Sequence, residues 1–343
     1  MLANPLGRAL SCFDGMIKLP GNPSSAMKTI LISILILTAL LAVAWWLAPK
    51  LRPSKKPNAP ATIPRTTNPD TASIPKGPIS DEEFRGLIQR LSLPGLLLQG
   101  SPGPTNSYLG GMPPADLETD WPRWKGRPLG FLACIRLADI GDTLPWLPQH
   151  GRLLFFYDLE ETPWGFDPAD RGSWQVIHLP GDGNASSVEP PADLSKEHRI
   201  PIKHLRFKKA ELPPTWDHAA LDHVELTDSQ GDWLEEHRDS LIGENDARHQ
   251  MGSYPSAVQS ADMETECQLA SNGLYLGDAT GYNDPRAAEL KEGASDWRLL
   301  LQIDSDDDVN LMWGDVGMIY FWAREQDARA GDFSRTWLIL QCH

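Results

Sequence analysis

The stretch "LLLQIDSDDDVNLMWGDVGMIYFW", Leu299–Trp322, sets four acidic residues in five positions between two apolar runs. Asp304, Asp306, Asp308 and Asp315 stand at positions 1, 3, 5 and 12 of a loop frame, the oxygen-ligand spacing of an EF-hand. Alternate carboxylates are what a hard divalent cation needs, so these four are the candidate metal ligands. Two departures oppose that reading. Val309 occupies position 6, where the loop needs Gly for its sharp turn, and Asp replaces the bidentate Glu at position 12. The flanks also read as strands. The simpler expectation is a solvated connection whose charges discourage edge pairing, with a divalent cation as the alternative and no other cofactor indicated.

A second candidate is "RHQMGSYPSAVQ", Arg248–Gln259, where polar and aromatic groups surround Gly252 and Pro255. His249, Tyr254 and Gln259 are the candidate binding residues of a loop that lines a pocket. Cys267 with His249 would make a nucleophile and base, with Asp262 as orienter. A free Cys is more commonly a small buried hydrophobe, and no catalytic residue is assigned. Of the 13 Trp, Trp297, Trp313, Trp322 and Trp337 are expected in the core, whereas Trp121, Trp124, Trp146 and Trp164 fall nearer to loops. Phosphate-loop, CxxC, HExxH and GxSxG patterns are all absent, which weakens the enzyme case.

Two stretches that carry these candidates share one layout. "GFLACIRLADI" (Gly130–Ile140) is followed by "GRLLFFYD" (Gly151–Asp158), and "RLLLQIDSDDD" (Arg298–Asp308) by "GMIYFWAR" (Gly317–Arg324). Upstream of each lies Gly-x-x-Pro, at Gly110–Pro113 and at Gly252–Pro255. Three elements in one order, twice, predict an internal duplication, with unit one at about 105–180 and unit two at about 247–343. Each unit reads as a strand pair, the first strand alternating and the second continuously apolar. Helices are expected from Ser80, with a Ser80-x-x-Glu83 capping box, over Gly231–Gly243, and over Arg324–Asp332. The fold class predicted is α+β, two related units of mainly antiparallel strands, preceded by a transmembrane helix and a disordered tether.

The membrane expectation rests on Thr29–Ala48, twenty residues without a charge between Lys28 and Lys50. Residues 27–48 are read as a single-pass transmembrane helix, 1–26 as a disordered tail or over-extended gene start, 49–79 as a Pro-rich linker and 80–343 as the body. Residues 1–74 carry eight basic and two acidic side chains, although the whole chain has a net charge of −15. An acidic body repels phosphate backbones, which excludes nucleic acid as a partner. Lys50, Arg52, Lys55 and Lys56 follow the apolar run, so a body on the cytoplasmic side of the cell membrane is favoured over a periplasmic one. Three Cys in the body, without metal-ligand spacing, agree with reduced thiols.

"GGMPPADLETDWPRWKGRPLGFLACIRL", "LPQHGRLLFFYD", "ARHQMGSYPSAVQSADM" and "LLLQIDSDDD…WGDVGMIYFW…DFSRTWLILQC" together resemble the YwqG-like family of bacterial proteins. The resemblance covers residues 94–343. Cys134 departs from the Gln that the family more often carries there, and Gln302 keeps it in the second unit. The resemblance implies a duplicated plan without an assigned chemistry, and a place near toxin and immunity genes that suits a protein-binding role. The function expected is a membrane-anchored binding module with a protein partner, with a metal-assisted hydrolase using the Asp304–Asp308 cluster and His249 as the alternative.

Overall fold

The computed structural model describes residues 75–114, 120–182, 187–243 and 247–343. The first helix, α1 (Asp81–Leu91), begins where Ser80 accepts from the Glu83 amide and Glu83 reaches back to the Ser80 amide. Two backbone donors at the helix start are thereby satisfied. Phe84, Leu87, Ile88 and Leu91 form its buried face and pack on Leu221, Val224 and Leu234. Ser80→Ala is expected to lower stability by about 1 kcal/mol in urea denaturation, and an unchanged midpoint would remove the cap from the account.

Ten strands follow in one sheet: β1 (Leu93–Gly100), β2 (Tyr108–Leu109), β3 (Gly130–Arg136), β4 (Arg152–Tyr157), β5 (Trp174–Leu179), β6 (Lys203–Leu212), β7 (His249–Gly252), β8 (Trp297–Asp304), β9 (Met318–Arg324) and β10 (Trp337–Gln341). Their spatial order is β10-β9-β8-β7-β1-β6-β2-β3-β4-β5, and every neighbouring pair is antiparallel. Two longer helices accompany it, α2 (Asp228–Ile242) and α3 (Met263–Ser271). The expected helix near the C-terminus is the short Glu325–Arg329, with Gly331 beyond it in a left-handed conformation.

The four strands β2 to β5 and the four strands β7 to β10 occupy opposite ends of the sheet, each set in chain order. Their bulges correspond, between Phe131 and Ala133 in β3 and between Leu299 and Leu301 in β8. Left-handed pairs also correspond, Gly110–Gly111 and Gly252–Ser253. The fold class expected from sequence nevertheless needs correction. The two sets are not separate units. β1 pairs along its whole length with β6, and the two join both sets edge to edge into one near-barrel sheet. Among the described residues, no helix is long and apolar enough to cross a membrane. The transmembrane segment 27–48, the tail 1–26 and most of the linker lie outside the described residues. The linker's last residues, Gly77–Pro78, pair with Val224–Glu225 in a small parallel sheet.

The sheet curls until its two ends face each other. Phe155 of β4 meets Phe321 of β9 at 5.2 Å between ring centroids, Trp174 meets Trp337 at 5.0 Å, and Tyr157 meets Trp313 at 5.9 Å. Burial of large aromatic rings from both ends makes one core. The β10 edge is partly covered by the loop before β5: the Leu340 amide donates to the Trp164 carbonyl at 3.0 Å, and the Trp337 indole to the Gly165 carbonyl at 2.8 Å. Gly165, at φ 81°, passes so close to β10 that a Cβ would lie 1.7 Å from the Leu338 carbonyl oxygen. No other residue type fits there.

Candidate functional site

The aspartate-rich turn begins where β8 ends. Asp304 accepts from the Arg248 amide at 2.7 Å, and its own amide donates to His249 Nδ1 at 3.1 Å. With Nδ1 accepting, the His249 proton sits on Nε2, which donates to Asp306 Oδ2 at 2.9 Å. Lys203, reaching over from β6, donates to that same oxygen at 2.7 Å and to Asp308 at 2.8 Å. Burial pushes the Asp306 carboxyl up, but the bonds from His249 and Lys203 outweigh it and hold the group far below the ordinary carboxylate range. Asp304 lacks such a partner, and burial raises its pKa. Asp308 is largely exposed, and Asp315 is exposed on the same connection, with its carbonyl accepting from the His343 amide.

The metal reading of Asp304, Asp306, Asp308 and Asp315 therefore finds no geometric support. Among the described residues, no group of three or more His, Cys, Asp or Glu is placed to hold a metal ion. The positive charge that the turn needs comes from Lys203, a residue about one hundred positions away in sequence. Nor is the Cys267–His249 pair assembled. His249 is engaged at both ring nitrogens, while Cys267 lies fully buried in α3, where burial and then Glu266 and Glu264 push its thiol well up. Such a thiol is inert as a nucleophile.

The loop after β7 is tied to the sheet by its own acceptors and donors. Gln302 accepts from the Ser256 amide at 2.9 Å, and Tyr320 donates to the Ser256 carbonyl at 2.8 Å. Gln341 accepts from the amides of Val258 and Gln259, and the Gln259 side chain donates to the Cys342 carbonyl at 2.7 Å. Gln259 is thus a pinned residue of the loop. Arg238 of α2 is buried beneath it and donates to the carbonyls of Pro213, Tyr254 and Pro255. Burial lowers its pKa to about 10. It is one of the helix's four buried residues.

A hollow of about 480 Å³ opens beside the start of the same loop, at Gly252–Tyr254. Trp146, Tyr254, Trp297 and Trp322 supply aromatic walls, and Asp262, Glu264 and His218 supply polar ones. Gly252, at φ 66°, turns the chain here, where a Cβ would meet Leu144 at 2.4 Å. The Tyr254 ring stands edge-on to His218 at 4.7 Å, and burial raises its hydroxyl pKa. His218 accepts from the Ala220 amide through Nδ1, which leaves Nε2 facing Glu264 Oε1 at 3.7 Å, too far for a hydrogen bond. Glu264 Oε2 and the buried Trp322 Nε1 have no hydrogen-bond partner among the described residues. Burial raises the Asp262 carboxyl, and burial followed by the charge of Asp262 lifts Glu266 to about 8.

A hollow with aromatic walls and a few polar side chains is suited to holding an organic group. Of the three candidate binding residues only Tyr254 lines it, and Asp262, the orienter considered for Cys267 and His249, lines it too. His249 belongs to the Asp306 turn, and Gln259 faces a second, more polar hollow beside Arg238. Trp146, His218, Glu264 and Trp322 were not gathered into one site because they come from four distant segments. The one local signal was the alternation of acids at Asp262, Glu264 and Glu266 at the head of α3.

No curated protein matches the chain. A family model does match, over residues 107–342 and so over more than half of the chain. It spans both end sets of strands, β1 excepted among the ten, and every polar and aromatic wall of the hollow named above. The chain belongs to that family, DUF1963, a domain of unknown function.

Proposed function

We propose that this chain is a binding module whose ligand enters the hollow beside Tyr254, and that it recognises an aromatic or aliphatic organic group. The observation that carries this reading is a hollow of about 480 Å³ walled by Trp146, Tyr254, Trp297 and Trp322. Aromatic walls hold an apolar or aromatic group by burial and by edge-to-face ring contact. The finer likeness of residues 94–343 to YwqG-like proteins belongs to the same proposal, because what it implies is a binding role. A protein partner enters as one carrier of the group, a small molecule as the other. Metal-assisted hydrolysis has no comparable support in the Asp306 turn.

Thermal denaturation of the full chain with indole as probe tests the reading. A saturable rise in melting temperature is expected, since a ligand that binds only the folded state stabilises it by mass action. Ala294→Trp, which fills the hollow from a partly exposed wall position, should fold and abolish the rise. If indole competes a captured protein off the chain, a partner's side chain uses the same site. Ca²⁺ and Mn²⁺ are expected to leave the transition unmoved; a saturable rise lost in Asp308→Asn would put the hydrolase reading ahead.

A further inference from the structure

We infer that the group held in the hollow carries a hydroxyl, seated between His218 and Glu264. This rests on reading the hollow as a binding site. The two side chains reach its wall from different elements, His218 as the cap of the short turn Ala219–Leu221 and Glu264 from the first turn of α3. His218 accepts from the Ala220 amide through Nδ1 at 3.0 Å, so its proton lies on Nε2. That N–H stands 3.7 Å from Glu264 Oε1 and has no hydrogen bond among the described residues. A donor and an acceptor are thus too far apart to meet, yet close enough for one oxygen to touch both.

Tyr254 supplies a second observation. It is only 6% exposed and lines the same hollow, edge-on to His218 at 4.7 Å. Its hydroxyl has no hydrogen bond among the described residues and is not one of the sealed-in polar atoms, so it opens on the hollow. Burial raises its pKa and keeps it protonated at neutral pH, able both to donate and to accept. Neither kind of charged ligand suits this wall. An ammonium would donate to Glu264 but meet the His218 N–H donor to donor, and a carboxylate would accept from His218 but repel Glu264. An ether only accepts. A hydroxyl accepts from His218 and donates to Glu264 through one atom, while the apolar body that bears it lies against Trp146, Trp297 and Trp322.

Isothermal titration of the full chain with toluene, anisole and phenol at neutral pH tests this with one ring and three substituents. Phenol is expected to bind about tenfold tighter than toluene, the effect of one hydrogen bond to a carboxylate, and anisole to fall between them. Glu264→Gln should bring phenol to within about threefold of toluene while leaving toluene's affinity unchanged. His218→Asn keeps a side-chain acceptor for the Ala220 amide but withdraws the Nε2 donor, and should narrow the same ratio, with circular dichroism showing that both variants fold. Equal binding of phenol and toluene by the unaltered chain would mean that water keeps the place between His218 and Glu264. That result would overturn the hydroxyl inference and leave the hollow as a binding site. A tenfold ratio that survives both substitutions would put the hydroxyl elsewhere and overturn it as well. Failure of all three probes would overturn both readings.

Discussion

Asp306→Ala is expected to cost the fold about 3–5 kcal/mol, the loss typical of breaking a buried ion pair from one side. The carboxylate is buried and bonded by His249 and Lys203 through one oxygen, and by the Asp308 amide at 3.0 Å through the other. Removing it strands a buried imidazole N–H and unbalances a lysine that is only 19% exposed. Two residues on, Asp308 bonds the same lysine at 2.8 Å but is 75% exposed, so Asp308→Ala should cost under about 1 kcal/mol. Urea denaturation of the two variants measures the contrast. Equal losses would mean that burial, not sequence, has been misjudged at this turn. The pH dependence has a definite sign. A carboxyl whose folded pKa is depressed contributes its stability above the unfolded value, about 3.9. That contribution is lost as pH falls below the unfolded value toward the lower folded one. The difference between the parent and Asp306→Ala should therefore shrink below about pH 4.

Glu266 is expected to show the opposite sign. Burial, and then the neighbouring Asp262, raise its pKa from 4.5 to about 8, against the hydrogen bonds of Ser260 and Tyr282. The folded chain keeps a proton that the unfolded chain releases, so the contribution of Glu266 is present below pH 4.5 and is lost as pH rises to about 8. The loss amounts to about 4 kcal/mol, an order-of-magnitude figure. Glu266→Gln keeps the neutral form at every pH. Its melting temperature should match the parent's near pH 4.5 and exceed it by roughly 10 °C at pH 8.5. An offset that stays constant across this range would sink the assignment.

Local features were legible because neighbours in sequence make them. The Ser80–Glu83 capping box needs only residues three apart, and it forms as the spacing predicts. The continuously apolar run Leu153–Tyr157 becomes a strand buried on both faces, with Phe155 in the central core and Phe156 under Trp121. The Asp304–Asp308 spacing looked the same for a cation site and for a charged turn. What separated them was Lys203, which reaches the turn only because β6 crosses the middle of the sheet.

The sequence by itself determined the α+β class of the body, its antiparallel strands, the burial of Trp297, Trp313, Trp322 and Trp337, and the turn character of the aspartate run. Periodicity and capping are short-range, so they survive reading one residue after another. Only the tertiary structure decided that β1 and β6 join the two sets of strands into one sheet, that His249 serves Asp306 rather than Cys267, and that Glu264 meets Trp322 across a hollow. These are pairings between segments far apart in the chain, and strand order and sheet curl settle them, neither of which leaves a local trace in the order of residues.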